Sequence, residues 1–292
     1  MMTMTERECV AVLSTAAAEQ GAVRSMVWAM GARATVERLQ GEDLQGLDLS
    51  AERGARLLEQ AARIGIRLVM PEDAEWPVQL RELAVLDPAE APVGLWVRGA
   101  RNLATLTESA VAVSGSRSAT LYGEEVARDV AQVLAGAGVS VVNGAAFGCD
   151  QAALRSALVS GLDTAPVAVL ACGADRAYPA AHARLLDSVV ERGLVVSEVA
   201  PGAAPTRTRF LQRQRLIAAL TTGVVIAEAG IRSSSVALAD WADRLQHPVM
   251  AAPGPITSAT SSGTHALIRH GRAQLLGHAE DALTMLPERV SA

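Results

Sequence analysis

Apolar positions in this chain follow two patterns in turn, and their order already narrows the fold. Residues 111–113, Val-Ala-Val, form a run too short for a helix, closed by Ser114-Gly115-Ser116. From Ala119 to Gly136, Val126, Val130, Val133 and Leu134 recur at helical spacing and share one side. Residues 139–142 repeat the short run, Asn143-Gly144 closes it, and a helical pattern resumes from Asp150. Similar short runs return at 66–70, 95–97, 167–172, 194–197, 223–227 and 249–252. Helical stretches are predicted at 182–192, 213–220 and 235–246. Strands that are nearly all apolar and alternate with helices belong to a parallel sheet covered on both faces. The expected class is α/β with a doubly wound parallel sheet, whose ligands sit beyond the carboxyl ends of the strands.

The first 65 residues lack such strands. Helical patterns over 6–20, 23–39 and 49–64, punctuated by Gly21, Gly31 and Gly41, predict a small all-helical N-terminal domain. It reads either as an unspecialised bundle or as a SAM or helix-hairpin-helix type of module. The expected layout is 1–65 for these helices, 66–278 for the sheet domain and 279–292 for a short tail with a helix at 279–285.

Composition refines this picture. Half of the 292 residues are apolar but only 3% are aromatic, so Ala, Val, Leu and Gly fill the core. Every one of the 26 basic residues is Arg, and the net charge of −5 argues against a surface that is basic all over. A local basic patch stays open, since distribution matters more than the sum. Cys9, Cys149 and Cys172 have no metal or redox spacing and read as reduced buried thiols. No signal peptide is indicated, and no run of about 18 apolar residues suggests a membrane span. A cytoplasmic protein is expected.

Candidate chemistry gathers at the small-residue turns and one basic run. Ser114-Gly115-Ser116-Arg117 lies between a strand and a helix N-terminus, where free N–H groups and the helix dipole favour an anion. Arg117 adds a bidentate phosphate donor there, although a tight turn with a surface arginine explains the same residues. No G-x-G-x-x-G is present, and a chain without lysine has no Walker loop, so no nucleotide cofactor is expected. The second turn, 143–150, places Asp150 to cap the next helix and leaves Phe147 to stack on a base. The run 206–215, TRTRFLQRQR, holds Arg207, Arg209, Arg213 and Arg215 around Phe210 with no acid. Such runs are often solvated faces. Here the uniform sign in an acidic chain favours phosphates and stacked bases. Arg232-Ser233-Ser234-Ser235 either caps a helix or binds phosphate. His182 and His265 stand apart from other ligand types, and neither a metal site nor a catalytic residue is expected.

The segments VSGSR, NGAAFGCD, CGADRAYP, SE with a following Pro-Gly, FLQRQRLIAAL, EAGIRSSSV and PGPI…SGTHALI occur in this order. Together they resemble the DprA/Smf DNA-processing family over roughly residues 66–276. That resemblance implies an extended Rossmann-like domain that binds single-stranded DNA, forms a homodimer and loads a RecA-type recombinase without being an enzyme. It implies that Gly115, Ser116 and Arg117 contact a phosphate, and that Asn143, Gly144, Ala145 and Gly148 line the same pocket. Phe210, Arg213 and Arg215 would hold the strand and a base. Phe147, Arg207, Arg209, Gln214, Arg232 and Ser233 complete the expected interface. Asn143, Phe147, Gln214, Ser234 and His265 depart from the residues usual in that family. The winged-helix domain of some members is not expected in the stretch after Leu276. Two other readings share the fold: a nucleotide-sensing module, and a nucleotide N-glycosidase of the lysine-decarboxylase-like family. The second wants a Pro-Gly-Gly-x-Gly-Thr run before a Glu, whereas Pro253-Gly254 and Gly263-Thr264 are split apart here.

Overall fold

The computed structural model describes residues 4–40, 48–160 and 164–286. Thr5 and Glu8 form a reciprocal capping box that starts α1 (Glu6–Glu19). It is followed by α2 (Gly21–Met30), α3 (Ala32–Gln40) and α4 (Ala51–Arg63). The single helix expected over 23–39 is thus two, because Gly31 at φ +86° turns the chain and ends α2. Gly41 lies outside the described residues.

The remainder runs β1 (Ile66–Val69), α5 (Arg81–Leu86), β2 (Leu95–Arg98), α6 (Leu103–Thr107), β3 (Ala110–Ser114), α7 (Leu121–Gly136) and β4 (Ser140–Asn143). Then come α8 (Cys149–Val159), β5 (Val167–Leu170), α9 (Ala183–Arg192), β6 (Leu194–Ser197), α10 (Arg207–Ala219) and β7 (Val224–Ile226). The chain continues with α11 (Ser234–Arg244), β8 (Val249–Ala251), α12 (Ser262–Arg269) and β9 (Gln274–Leu275). Helix α12 falls where the sequence suggested only rigid loops, and residues 279–285 form a 3-10 turn.

The nine strands of the described residues join one sheet in the order β1-β2-β6-β5-β4-β3-β7-β8-β9. From β6 to β9 the pairing is parallel, as expected for a doubly wound sheet. The exception is one margin, where β1 and β2 pair antiparallel with each other and β2 pairs antiparallel with β6. Mixed margins on a parallel sheet are common, and short apolar runs do not reveal strand direction.

Alternate residues of the central strand feed different cores. Ala110 and Ala112 share a cluster with α10 residues Leu216 and Ile217 and α11 residue Leu238. Val111 and Val113 share one with α7 residues Val130 and Leu134 and α8 residue Ala153. That is the period-two signature of a strand buried on both sides. A third cluster crosses residue 65: Val10 and Leu13 of α1 are grouped with Leu68, Trp96 and α9 residue Leu185. Trp96 Nε1 donates to Ser14 Oγ at 3.1 Å, so the indole enters this core with its polar atom satisfied.

Strand order reverses between β3 and β7. From β3 the chain steps outward through β4, β5 and β6, then returns to the other side of β3 with β7. Loops that part in opposite directions leave a crevice at their strands' carboxyl ends.

Candidate functional site

The basic run is itself helical. Thr206 Oγ1 accepts from Arg209 N at 3.2 Å and starts α10 at Arg207, six residues before the helix expected from the sequence. A period of 3.6 residues then sends its arginines to different surroundings. Arg207, Phe210, Arg213 and Gln214 line a cleft of about 560 Å³. Gly115 and Arg117 reach it from the loop after β3, Gly144 and Ala146 from the loop after β4, and Arg232 and Ser233 from the loop after β7. The crevice at the topological reversal is thus occupied by the expected motifs.

Asp150 organises this floor. The capping role expected for it is not what the structure has, because the N-cap of α8 is Gly148 and makes no side-chain bond. Asp150 is instead a buried first-turn residue. Its Oδ1 accepts from Ser114 Oγ at 2.7 Å, while Oδ2 accepts from the backbone N–H groups of Gly144 and Ala146 at 3.2 and 3.1 Å. One carboxylate thereby ties the end of β3 to the turn after β4. Burial pushes its carboxyl above the usual range, partly offset by the Ser114 hydroxyl and nearby Arg213.

Arg213 crosses the same floor. It is only 7% exposed, and its Nη1 donates to Gly144 O at 2.7 Å and Val169 O at 3.2 Å. Its Nε has no partner among the described residues. Burial lowers its pKa, with Asp150 opposing that shift. A Cβ at Gly144 would overlap the Arg213 guanidinium, so this glycine is what lets the arginine pass. The guanidinium carbon lies 5.1 Å from the Phe210 ring centroid, and the tilted Tyr178 ring is 5.4 Å from that of Phe210. Tyr178 lines the cleft and was not singled out from the sequence, although it stands in the CGADRAYP segment.

Other expected residues serve the frame. Gly115 packs where a Cβ would strike Cys149 and Glu228 O, and its carbonyl accepts from Ser235 Oγ at 2.7 Å. Ser116 does not line the cleft, and its backbone N–H is committed to Glu228 O at 2.7 Å, so that N–H is not free for an anion. Asn143 is fully buried, donating to Val113 O and Asp150 O, both at 3.1 Å. Ala145 is buried at φ +52°, and Gly148 is buried at φ +71° where a Cβ would strike Ser116 O. Phe147 is 44% exposed but sits outside the cleft, edge-on to His182 at 4.6 Å. Arg209 pairs with Glu19 of α1 at 2.9 Å. Arg215 is fully buried, with Glu198 at 2.6 Å and Glu90 at 3.5 Å. The expectation that Arg215 holds the strand is corrected by this placement.

Four arginines, Arg117, Arg207, Arg213 and Arg232, line the cleft against one carboxylate, Asp150. Glycine turns, arginines and an aromatic pair around a sheet crevice coincide with the segments that suggested a family. A family model described as DNA recombination-mediator protein A matches residues 67–287. The chain belongs to that family. It is 44% identical over 238 residues to the putative DNA processing protein DprA of Mycobacterium tuberculosis, spanning 79% of this chain and 60% of that relative. With the DNA processing protein DprA of Streptococcus pneumoniae it shares 40% identity over 194 residues, 66% of this chain and 67% of that one. The crystal structure of the S. pneumoniae protein superposes with a TM-score of 0.78 at 28% identity, covering 98% of this chain and 99% of that one. DNA processing protein A from Helicobacter pylori, described for its single-stranded DNA binding mode, gives 0.65 at 28% identity over 75% and 95% of the two chains.

Among the described residues no three His, Cys, Asp or Glu side chains come together as a metal site. No described helix is long and apolar enough to cross a membrane. Burial pushes the Cys149 thiol up to about 12, which keeps it protonated and unreactive beneath the cleft floor.

Proposed function

We propose that this chain binds single-stranded DNA in the cleft at the β3/β7 crevice and acts as a recombination mediator. The observation that carries this reading is the convergence of Arg117, Arg207, Arg213 and Arg232 beside the Phe210–Tyr178 pair. Guanidinium groups neutralise phosphates, and an aromatic face accepts any base, so binding is salt-sensitive and has little sequence preference. Family membership and the likeness to the H. pylori protein support this ligand. The strand then passes to a RecA-type recombinase, with the chain acting as a homodimer in the cytoplasm. In this reading the protein works without a cofactor and is not an enzyme, and Asp150, the one carboxylate lining the cleft among the described residues, ties its loops together through hydrogen bonds from Ser114, Gly144 and Ala146. That arrangement disfavours the N-glycosidase reading.

A small-nucleotide sensor is the second reading, because a cleft of about 560 Å³ can hold a mononucleotide and Arg213 Nε is unpartnered among the described residues. Fluorescence anisotropy with labelled oligo-dT, titrated at two salt concentrations beside the duplex, tests the first. Tight, salt-dependent capture of the single strand is expected, with the duplex much weaker. Displacement of the strand by a free mononucleotide at low concentration would favour the sensor instead.

A further inference from the structure

A second groove, of about 570 Å³, lies between α7 and α8 and matches the cleft in size. Arg128 and Gln132 line it from α7, and Gln151, Arg155 and Ser156 from α8, with Glu124 as its one acid. The stretch 144–151 is a wall common to both spaces: Gly144, Ala146 and Asp150 line the cleft, while Gly148 and Gln151 line the groove. Phe147 stands within this wall, belongs to neither lining, and is 44% exposed.

A continuous polar chain crosses the wall. His182 Nδ1 donates to Ala145 O at 2.9 Å, in the turn above the cleft floor. The Gln151 amide nitrogen donates to His182 Nε2 at 3.0 Å, and its oxygen accepts from Arg155 Nη2 and Nε at 3.0 and 3.2 Å. Amide and tautomer orientations here follow from satisfying every donor. The edge of the Phe147 ring packs on the same imidazole at 4.6 Å and 70°. Arg155 is therefore held in place by a neutral amide, and no ion pair forms at Arg128 or Arg155 among the described residues. An arginine oriented by an amide keeps its full charge for an outside anion.

We infer that the groove between α7 and α8 takes the backbone phosphates of the same single strand as it leaves the cleft, with a base stacked on Phe147 at the crossing. This rests on the strand-binding reading of the cleft. His182 acts as a positioning residue for both sides, fixing the turn and, through Gln151, Arg155.

The test compares labelled oligo-dT of about 6 and about 30 nucleotides on the full chain, since the longer one has more strand to offer beyond the cleft. In an Arg128→Ala/Arg155→Ala variant the short oligomer should bind as in wild type. The long one should weaken about tenfold, and its salt slope should fall by about 1.4, at roughly 0.7 per lost phosphate contact. Arg128→Lys/Arg155→Lys, which keeps both charges, should restore most of that slope. Both arginines are exposed, so an unchanged denaturation midpoint is expected and guards against a folding artefact. Wild-type affinity and slope for the long oligomer would overturn the groove, as would equal weakening of both oligomers. Failure of the cleft reading looks different: Arg117→Ala/Phe210→Ala would leave both oligomers bound as before. A wild-type chain that binds neither oligomer overturns both.

Discussion

Arg213 and Arg215 stand two residues apart on α10 and live in opposite surroundings. Arg213 leans over the cleft floor, bonded to carbonyls and stacked on Phe210, with Nε left unpartnered. Arg215 points into the packing between α10 and the N-terminal helices. Its guanidinium meets Glu198 at 2.6 Å and Glu90 at 3.5 Å, and Glu90 also lies 3.7 Å from buried Arg24 of α2. Burial, and then the neighbouring Arg215, lower the pKa of Arg24 to about 10. One basic run thus divides its charges between the cleft and the frame. Local composition cannot tell which is which, because the helical period decides.

The largest effect expected from breaking this division is on stability. Arg215→Ala leaves Glu198 buried without its partner and should cost about 3–5 kcal/mol, read from urea denaturation. If Arg215→Ala folds normally and loses only strand binding, the assignment of the two arginines is reversed.

Gly144→Ala should affect the other side. The added methyl displaces the Arg213 guanidinium, so strand affinity falls sharply while unfolding shifts by about 1–2 kcal/mol from overpacking and lost hydrogen bonds. A variant with wild-type affinity would remove Arg213 from the interface.

The Asp150 carboxyl provides a pH test. Burial raises its folded pKa above the ordinary 3.8, so between these values the native state holds more protons than the unfolded one. Its contribution to stability is therefore largest at low pH and is lost as pH rises through the folded value. Relative to Asp150→Asn, the wild-type chain should gain stability from pH 7 to pH 4, measured by denaturation at each pH. An unchanged difference would mean that the carboxylate titrates normally.

Arg117→Ala is the smallest change expected in the fold, within about 0.5 kcal/mol, since the side chain is exposed. The same variant should still weaken all strand sequences alike and reduce the salt slope by about 0.7.

Much of the fold could be read directly from short apolar runs alternating with helical patterns. The run 111–113 is apolar at every position and 139–142 at all but Ser140, as suits strands covered on both faces. The small-residue turns after them were equally legible, because a chain leaving a parallel strand for a helix leaves backbone donors exposed there. What no local pattern carries is direction and depth. The antiparallel pairing of β1 and β2 is set by their partners across the sheet, and the break at Gly31 by a single positive φ. Asp150 looked like a helix cap because capping is the common local use of aspartate at a helix start. Its three hydrogen bonds go to Ser114, Gly144 and Ala146, which only the packed loops bring within reach. Tyr178 is far from Phe210 in the chain and beside it in space, so no spacing rule could pair them.

The sequence alone therefore set where the strands β1 to β8 form, which turns follow them and which charges are at hand, since those follow from period and residue type. The tertiary structure decided which arginines line the cleft and which are buried in the frame, because burial and partner choice are properties of the folded neighbourhood.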